Sequence, residues 1–295
     1  MTDAQRSLFC FGLGYSALYL CQRLKAKGWR LGGTVRSAEK AEALAAAGIH
    51  TQVWPGSDPK PPPGSDWLIS VPPGEAGCPA FLAAGALADT ARSVTYLSTT
   101  GVYGDLSGGW AFEWSPARPQ SARAAARLRA EDQWTGTGHP HASLVRLPGI
   151  YGPGRSALDR LRAGTARNIV KPGQVFSRIH VADIASGLEC LLDKPGSRGV
   201  FNLTDDLPGP PEDVTAYAAR LLGVAPPEEI DHRAAGLSPM AASFFAECKR
   251  VSNARAKSAL GWRPKFPTFK EGLQAILEAE GGPVDPLIAL AQGRQ

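Results

Sequence analysis

The chain has 295 residues, enough for one large or two modest domains. Hydrophobic residues make up 43% and charged residues 20%, which excludes a disordered chain and leaves ample material for a core. The net charge of +5 comes from scattered basic residues, and the densest group (Arg118, Arg123, Arg127 and Arg129) is broken by alanines and lacks interleaved aromatics, so no nucleic-acid partner is expected.

The five cysteines form no C-x-x-C pair, and the five histidines show no ligand spacing. Neither a disulfide framework nor a metal site is expected, and a reducing, cytoplasmic compartment is. The apolar stretch from Leu8 to Cys21 loosely imitates a secretion signal. It holds two glycines at a meaningful spacing and reads better as strand, turn and helix. No run of about 18 apolar residues appears, so no membrane partner is expected.

In chain order, Ser7 to Phe11 is a short apolar run stopped by Gly12, the pattern of a buried parallel strand. Ala17, Leu20, Cys21 and Leu24 then share one helical face, closed by Gly28. A strand over Trp29–Val35, a helix over Ser37–Ala47 and a short strand over His50–Trp54 complete a β-α-β-α-β unit. A Pro-rich loop, Pro55–Gly64, leads to a strand over Trp67–Val71, a helix over Phe81–Arg92 and a strand over Ser93–Ser98. A helix over Ser121–Trp134 precedes a strand over Ser143–Leu147. From Gly149 the strands become short. Val200–Leu203 reads as one more strand, and Pro211–Leu222 and Lys270–Glu280 as helices. The fold class is α/β: a Rossmann-type doubly wound parallel sheet with a smaller C-terminal substrate-side domain. The expected division is 1–205 and 206–295, with 149–180 contributing to the substrate side.

Gly12-Leu13-Gly14-Tyr15-Ser16-Ala17 carries the first chemical signal. Gly12 permits a tight turn, Gly14 lets backbone approach a pyrophosphate, and Ala17 keeps the helix close to the strand. Ser16 adds a hydroxyl, and Tyr15 is expected to cover the pyrophosphate. The second strand ends Val35-Arg36-Ser37 with no carboxylate to grip the ribose hydroxyls of NAD. Arg36 suits a 2′-phosphate and Ser37 offers a hydroxyl, so NADP(H) is preferred and NAD(H) stays open. Val71 and Pro72, at the end of the fourth strand, and Pro148, after the sixth, complete the expected cofactor set with Arg127.

Several stretches in order resemble the extended and atypical short-chain dehydrogenase/reductase superfamily, in particular its NAD-dependent epimerase/dehydratase-like members. They are Gly12 to Ala17, Leu97 to Gly104, Val145 to Gly154, Arg178 to Ala185, Gly199 to Leu203, and Gly261 to Pro264 with Gly272-Leu273 beyond. The resemblance spans nearly the whole chain. It implies a Tyr and a Lys spaced Y-x-x-x-K, plus a Ser or Thr that steadies the reacting oxygen. Thr99, with Thr100 beside it, fills the Ser/Thr place. The Tyr and Lys places fall on Arg123 and Arg127. Arginine stays protonated and cannot cycle a proton as tyrosine does. Arg127 can still serve the cofactor, and Arg123 can clamp an anionic substrate. Tyr103 is the candidate replacement proton donor, with Tyr151 behind it. Tyr151 and Arg178 join Arg123 as expected substrate contacts.

Two functions compete. One is an NADP-dependent oxidoreductase or epimerase acting on a small polar, perhaps anionic, molecule. The other is a non-catalytic NADP(H)-binding sensor or regulatory protein, suggested by the missing Tyr and Lys. A homodimer is compatible with the resemblance.

Overall fold

The structure is a computed structural model that describes residues 5–194 and 196–293. The first half runs β1 (Ser7–Phe11), α1 (Tyr15–Lys25), β2 (Arg30–Val35), α2 (Ala38–Ala46), β3 (His50–Val53), β4 (Asp66–Ile69) and α3 (Pro79–Ala84). It continues with β5 (Ser93–Thr99), β6 (Trp110–Ala111), α4 (Ala122–Gly136) and β7 (Ala142–Leu147). The second half holds β8 (Gly149–Tyr151), α5 (Ala157–Arg162), β9 (Asn168–Val170), β10 (Arg178–His180), α6 (Val181–Leu192) and β11 (Gly199–Asn202). It ends with α7 (Pro211–Leu222), β12 (Glu229–Asp231), α8 (Pro239–Phe245), β13 (Arg250–Val251), α9 (Ala254–Leu260), α10 (Phe269–Glu278) and α11 (Pro286–Ala291).

Seven strands form one parallel sheet in the order β3-β2-β1-β4-β5-β7-β11. The strand order reverses between β1 and β4, where doubly wound folds open a crevice for ligands. β4 is buried along its whole length, as expected of a parallel strand covered on both faces. One face packs Leu8, Cys10, Leu31 and Leu68 under α1 and α6. The other packs Phe9, Phe11, Trp67 and Tyr96 under α3 and α4, with ring centroids 5.1 Å apart for Phe9–Phe11 and 5.3 Å for Phe11–Trp67. Each such side chain contributes roughly 1.5–3 kcal/mol on burial.

The expected helix over Phe81–Arg92 is shorter and starts earlier. α3 gives way at Gly85 to a 3₁₀ segment over Gly85–Thr90. Two clusters describe the packing of the second half. A smaller cluster gathers Tyr151, Leu158, Ala218, Phe269, Leu273 and Ile276, so it draws on α5 as well as on α7 and α10. The chain then returns: Ala256 and Leu260 of α9, and Leu287, Ile288 and Ala291 of α11, join the core under α1 and α6. Apolar surface on α1 and α6 is thus covered by α9 and α11. Three short parallel pairs, β8–β10, β9–β12 and β6–β13, were not expected from the sequence.

No described helix is long and apolar enough to cross a membrane. Among the described residues no group of three or more His, Cys, Asp or Glu could hold a metal ion. The five cysteines are free.

Candidate functional site

The crevice at the β1/β4 reversal is built around the glycine turn. Gly12 has φ +94°, and a Cβ there would stand 2.9 Å from Val71 Cγ1 and 3.0 Å from Ser70 Oγ. Its amide donates to Thr34 Oγ1 at 2.9 Å, and the Leu13 amide donates to the Thr34 carbonyl at 2.9 Å, which ties the turn to the tip of β2. The Ser70 hydroxyl donates to the Gly12 carbonyl at 2.5 Å. A Cβ on Gly14, by contrast, would meet nothing within 4 Å. The N-terminus of α1 carries no side-chain cap and no acidic residue in its first turn. Open space above Gly14, uncapped amides and a helix dipole together fit a phosphate.

Ala17 is fully buried against the core, and Ser16 is partly exposed at the helix start. The side chain of Tyr15, expected as a cover over the pyrophosphate, is largely buried. It is 7% exposed, packs edge-on to Tyr19 at 5.2 Å, and donates its hydroxyl to the Pro153 carbonyl at 3.0 Å. Burial drives its phenol pKa far up. Val71 is pressed against Gly12, Pro72 is exposed beyond it, and Pro148 is partly buried between β7 and β8.

At the tip of β2, Arg36 is exposed, with no carboxylate beside it in sequence until Glu39 on α2. Ser37 caps α2, its hydroxyl accepting from the Lys40 amide at 3.3 Å.

Thr99 ends β5. Its Oγ1 accepts from the Gly101 amide at 3.2 Å, which opens a 3₁₀ turn over Thr100–Tyr103 and leaves the hydroxyl proton of Thr99 able to donate. Thr100 is buried. A Cβ on Gly101 would lie 3.5 Å from the Thr99 side chain and 3.7 Å from Ala124, so the start of α4 lies against this turn. Ser121 caps α4 through the Ala124 amide at 3.2 Å. Arg127 donates to the Leu97 carbonyl at 2.8 Å and the Tyr96 hydroxyl at 3.2 Å. Arg123, one turn earlier, is exposed and stands 4.8 Å over the Phe244 ring of α8. Its guanidinium makes no hydrogen bond or ion pair among the described residues, so its in-plane donors are open.

Three expected contacts lie away from this opening. Tyr103 is 0% exposed, and its hydroxyl donates to Asn202 Oδ1 at 2.8 Å, while Arg146 stands 4.7 Å over its ring. Burial raises its pKa. The expected proton donor is thus an interior hydroxyl with a fixed acceptor. Tyr151 belongs to the smaller core and reaches the Thr268 carbonyl at 3.4 Å. Arg178 donates to the carbonyls of Phe176, Gly209 and Pro210 at 2.9, 3.0 and 3.1 Å, and burial lowers its pKa. It pins the loop before α7 rather than facing the opening. His180 caps α6 and packs 4.3 Å from Phe266, while Asp183 accepts from the Lys265 and Phe266 amides.

The sequence reading missed three groups. Lys40, in the first turn of α2, and Arg155, 4.3 Å over the Tyr15 ring, are ordinary basic residues in one dimension. Asp205, beyond β11, is 2% exposed, and neither carboxylate oxygen meets a donor at full hydrogen-bond geometry. Burial lifts its pKa to about 8, with the Arg178 charge and the amides of Leu207 and Arg178 acting in the opposite direction. Asp205 and Trp110 help line a pocket of ≈ 120 Å³. That is smaller than the roughly 300–1,000 Å³ of a ligand site, so it does not account for a substrate alone.

No family model matches the chain. The chain is 27% identical to Protein YeeZ of Escherichia coli over 236 residues, which cover 74% of this chain and 84% of that protein. It is 29% identical over 141 residues to a 3-diazoavenalumate denitrifying reductase of a Streptomyces species, covering 44% of this chain. The match spans only 45% of that reductase. Among solved structures, a functionally unknown conserved protein of Silicibacter pomeroyi is 44% identical, with a TM-score of 0.89 over 93% of this chain and 99% of that one. A Methylobacillus flagellatus protein provisionally described as an NAD-dependent epimerase/dehydratase is 25% identical, with a TM-score of 0.71 over 94% of this chain and 99% of that one. A human epimerase family protein, crystallised with NADPH, shares the fold at 18% identity and a TM-score of 0.73 over 93% of this chain and 99% of that one.

Proposed function

The chain has the fold and the structural neighbours of the NAD-dependent epimerase/dehydratase-like proteins, an extended short-chain dehydrogenase/reductase-type group, and on that premise we propose that it is an NADP(H)-dependent oxidoreductase acting on a small anionic substrate. The observation that carries this reading is Arg123, an exposed guanidinium over the Phe244 ring of α8, at the position that the resemblance assigns to the family's phenol. A cation there binds an anion and transfers no proton.

The bound cofactor supplies or accepts a hydride at its nicotinamide. The amides at the start of α1 and the gap over Gly14 would hold the pyrophosphate, and Arg36 would hold the 2′-phosphate. Arg127 fixes the end of β5 from below. Thr99 donates its hydroxyl proton as a hydrogen bond to the reacting oxygen, and Arg123 holds the anionic end of the substrate. In the reductive direction the substrate oxygen would take its proton from solvent, because the Tyr103 hydroxyl is buried and engaged with Asn202.

The absent phenol also favours a second reading, a non-catalytic NADP(H)-binding sensor. NADPH oxidation followed by absorbance across a panel of carboxylate-bearing and neutral carbonyl compounds separates the two. Turnover confined to the anionic compounds, with Arg123→Gln raising KM and Thr99→Val lowering kcat, supports the oxidoreductase. Tight NADPH binding with no turnover across the panel rejects it in favour of the sensor.

A further inference from the structure

None of the residues of α8 is buried, yet both ends of the helix are fixed. Ser238 caps it, the hydroxyl accepting from the Ala241 amide at 3.3 Å. At the far end the Phe245 carbonyl accepts from the Lys171 ammonium, and the Phe245 ring packs edge-on to Phe176 with centroids 5.6 Å apart. The Glu247 carbonyl accepts from Gln174 Nε2 at 2.7 Å. The Cys248 amide donates to Asp105 Oδ1 at 2.7 Å, and the Cys248 carbonyl accepts from the Gly108 amide at 2.8 Å. Asp105 follows closely on the 3₁₀ turn that Thr99 opens. The exit of α8 is therefore tied to the loop that leaves the Thr99 turn.

From α8 the Phe244 ring reaches α4, where the Arg123 guanidinium stands 4.8 Å over it. A ring on the face of a guanidinium leaves the N–H donors in its plane free, and those donors match a carboxylate two at a time. With one face on Arg123, the ring keeps its edge and its other face open, and Phe244 is 48% exposed. Met240 lies four residues earlier, so the two side chains share one face of α8, and Met240 is 62% exposed. A single exposed apolar side chain is ordinary. Two on one face, beside a cation without a counter-charge, match the two ends of one ligand: an anionic group and an apolar body. Two side chains also offer far less than the roughly 1,000 Å² of a stable protein interface, which favours a small ligand.

We propose that Phe244 and Met240 determine substrate specificity as the apolar wall of the Arg123 site, and that the anion held there is a carboxylate bearing a flat apolar group such as an aromatic ring. The inference rests on the anionic-substrate reading and narrows it. The carboxylate lies in the plane of the guanidinium. The apolar group lies along α8, where Phe244 offers a ring for offset or edge-to-face contact and Met240 a flexible thioether that adapts to its outline. Water leaves both apolar surfaces as they meet.

Ligand-observed NMR titrations of the full chain, with NADPH present, test it with phenylacetate, acetate and 2-phenylethanol as probes. Wild type is compared with Phe244→Ala, Phe244→Leu, Met240→Gln and Arg123→Gln, and thermal melts of each variant check folding. The wall predicts that wild type binds phenylacetate roughly tenfold or more tightly than acetate or 2-phenylethanol, the worth of adding an aromatic contact or a charge-assisted one. Phe244→Ala removes most of the phenylacetate-to-acetate ratio, Phe244→Leu keeps part of it, and Met240→Gln lowers it less. Arg123→Gln weakens both carboxylates alike. Equal affinity for phenylacetate and acetate in wild type, or a ratio unchanged in Phe244→Ala, overturns the wall, and the anion reading still stands if Arg123→Gln weakens both carboxylates. If no carboxylate binds, or Arg123→Gln leaves carboxylate binding unchanged, the anion reading fails and the wall with it. Self-association in light scattering that Phe244→Ala abolishes, without a preference for phenylacetate, assigns the face to a second copy of the chain and overturns the proposal.

Discussion

The Arg127 guanidinium donates to the Leu97 carbonyl at 2.8 Å, reaching from α4 to the end of β5. It also meets the Tyr96 hydroxyl, whose pKa burial pushes up to about 12 despite the nearby positive charge. In the family this helix position belongs to a lysine that serves the cofactor and the phenol. Here the side chain is engaged by the protein, so it positions a strand end. Arg127→Met should lower stability by about 1.5–3 kcal/mol, the range for a hydrogen bond to a charged group. It should also weaken NADPH and NADH alike. Denaturant unfolding and paired titrations check both, and a loss confined to NADPH would instead place Arg127 on the 2′-phosphate.

One turn further along α4, Glu131 accepts two hydrogen bonds from Arg146 of β7, at 3.0 and 2.6 Å, with both residues buried. Removing one member leaves a buried charge without its partner. Glu131→Ala should cost about 3–5 kcal/mol in denaturant unfolding. A cost under about 1 kcal/mol would mean that water reaches Arg146 and replaces the carboxylate.

Gly33 is packed against the neighbouring strand. A Cβ there would overlap the Cys10 carbonyl oxygen, which is backbone and cannot rotate away. Gly33→Ala should therefore destabilise by about 1–3 kcal/mol, as overpacking does. The higher strand propensity of alanine would otherwise favour the change. An unchanged melting temperature would show that β1 and β2 can separate at this point.

Asp205 and His180 give opposite pH dependences. Burial raises the Asp205 pKa from 3.8 to about 8, so the folded chain holds a proton that the unfolded chain has lost. Its contribution to stability is full below pH 3.8 and is lost as pH rises toward 8. Burial and the Lys265 charge lower the His180 pKa from 6.5 to about 4, so the folded imidazole stays neutral. Its contribution is full above pH 6.5 and is lost as pH falls toward 4. Between pH 4 and 6.5 the two slopes cancel. Above pH 6.5 Asp205 acts alone, and stability should fall by about 2 kcal/mol up to pH 8. Asp205→Asn should abolish that fall and uncover a rise between pH 4 and 6.5. A fall above pH 6.5 that persists in Asp205→Asn would assign it to another group.

Much of the parallel sheet was legible in the sequence, because buried parallel strands are apolar runs bounded by glycine and proline. Ser7–Phe11 and its glycine turn show this most clearly. The place of Arg123 and Arg127 on one helix was also readable, since i, i+4 spacing fixes a shared face. The short pairs β6–β13, β8–β10 and β9–β12 were not, because two or three residues carry no period. The return of α9 and α11 to the main core was hidden for another reason. Their apolar faces look the same whichever partner they cover. At the site, the interior positions of Tyr103 and Arg178 follow from tertiary acceptors at Asn202, Gly209 and Pro210, far away in sequence. Arg155 was hidden in the same way, because its neighbour Tyr15 is 140 residues earlier.

The role of Arg36 in cofactor choice is tested by comparing NADPH and NADH dissociation constants for wild type and Arg36→Ala. Wild type should bind NADPH roughly tenfold or more tightly than NADH, as a charge-assisted contact to the 2′-phosphate implies, and Arg36→Ala should remove most of the difference by weakening NADPH alone. Equal affinity for the two in wild type, unchanged in Arg36→Ala, would contradict it.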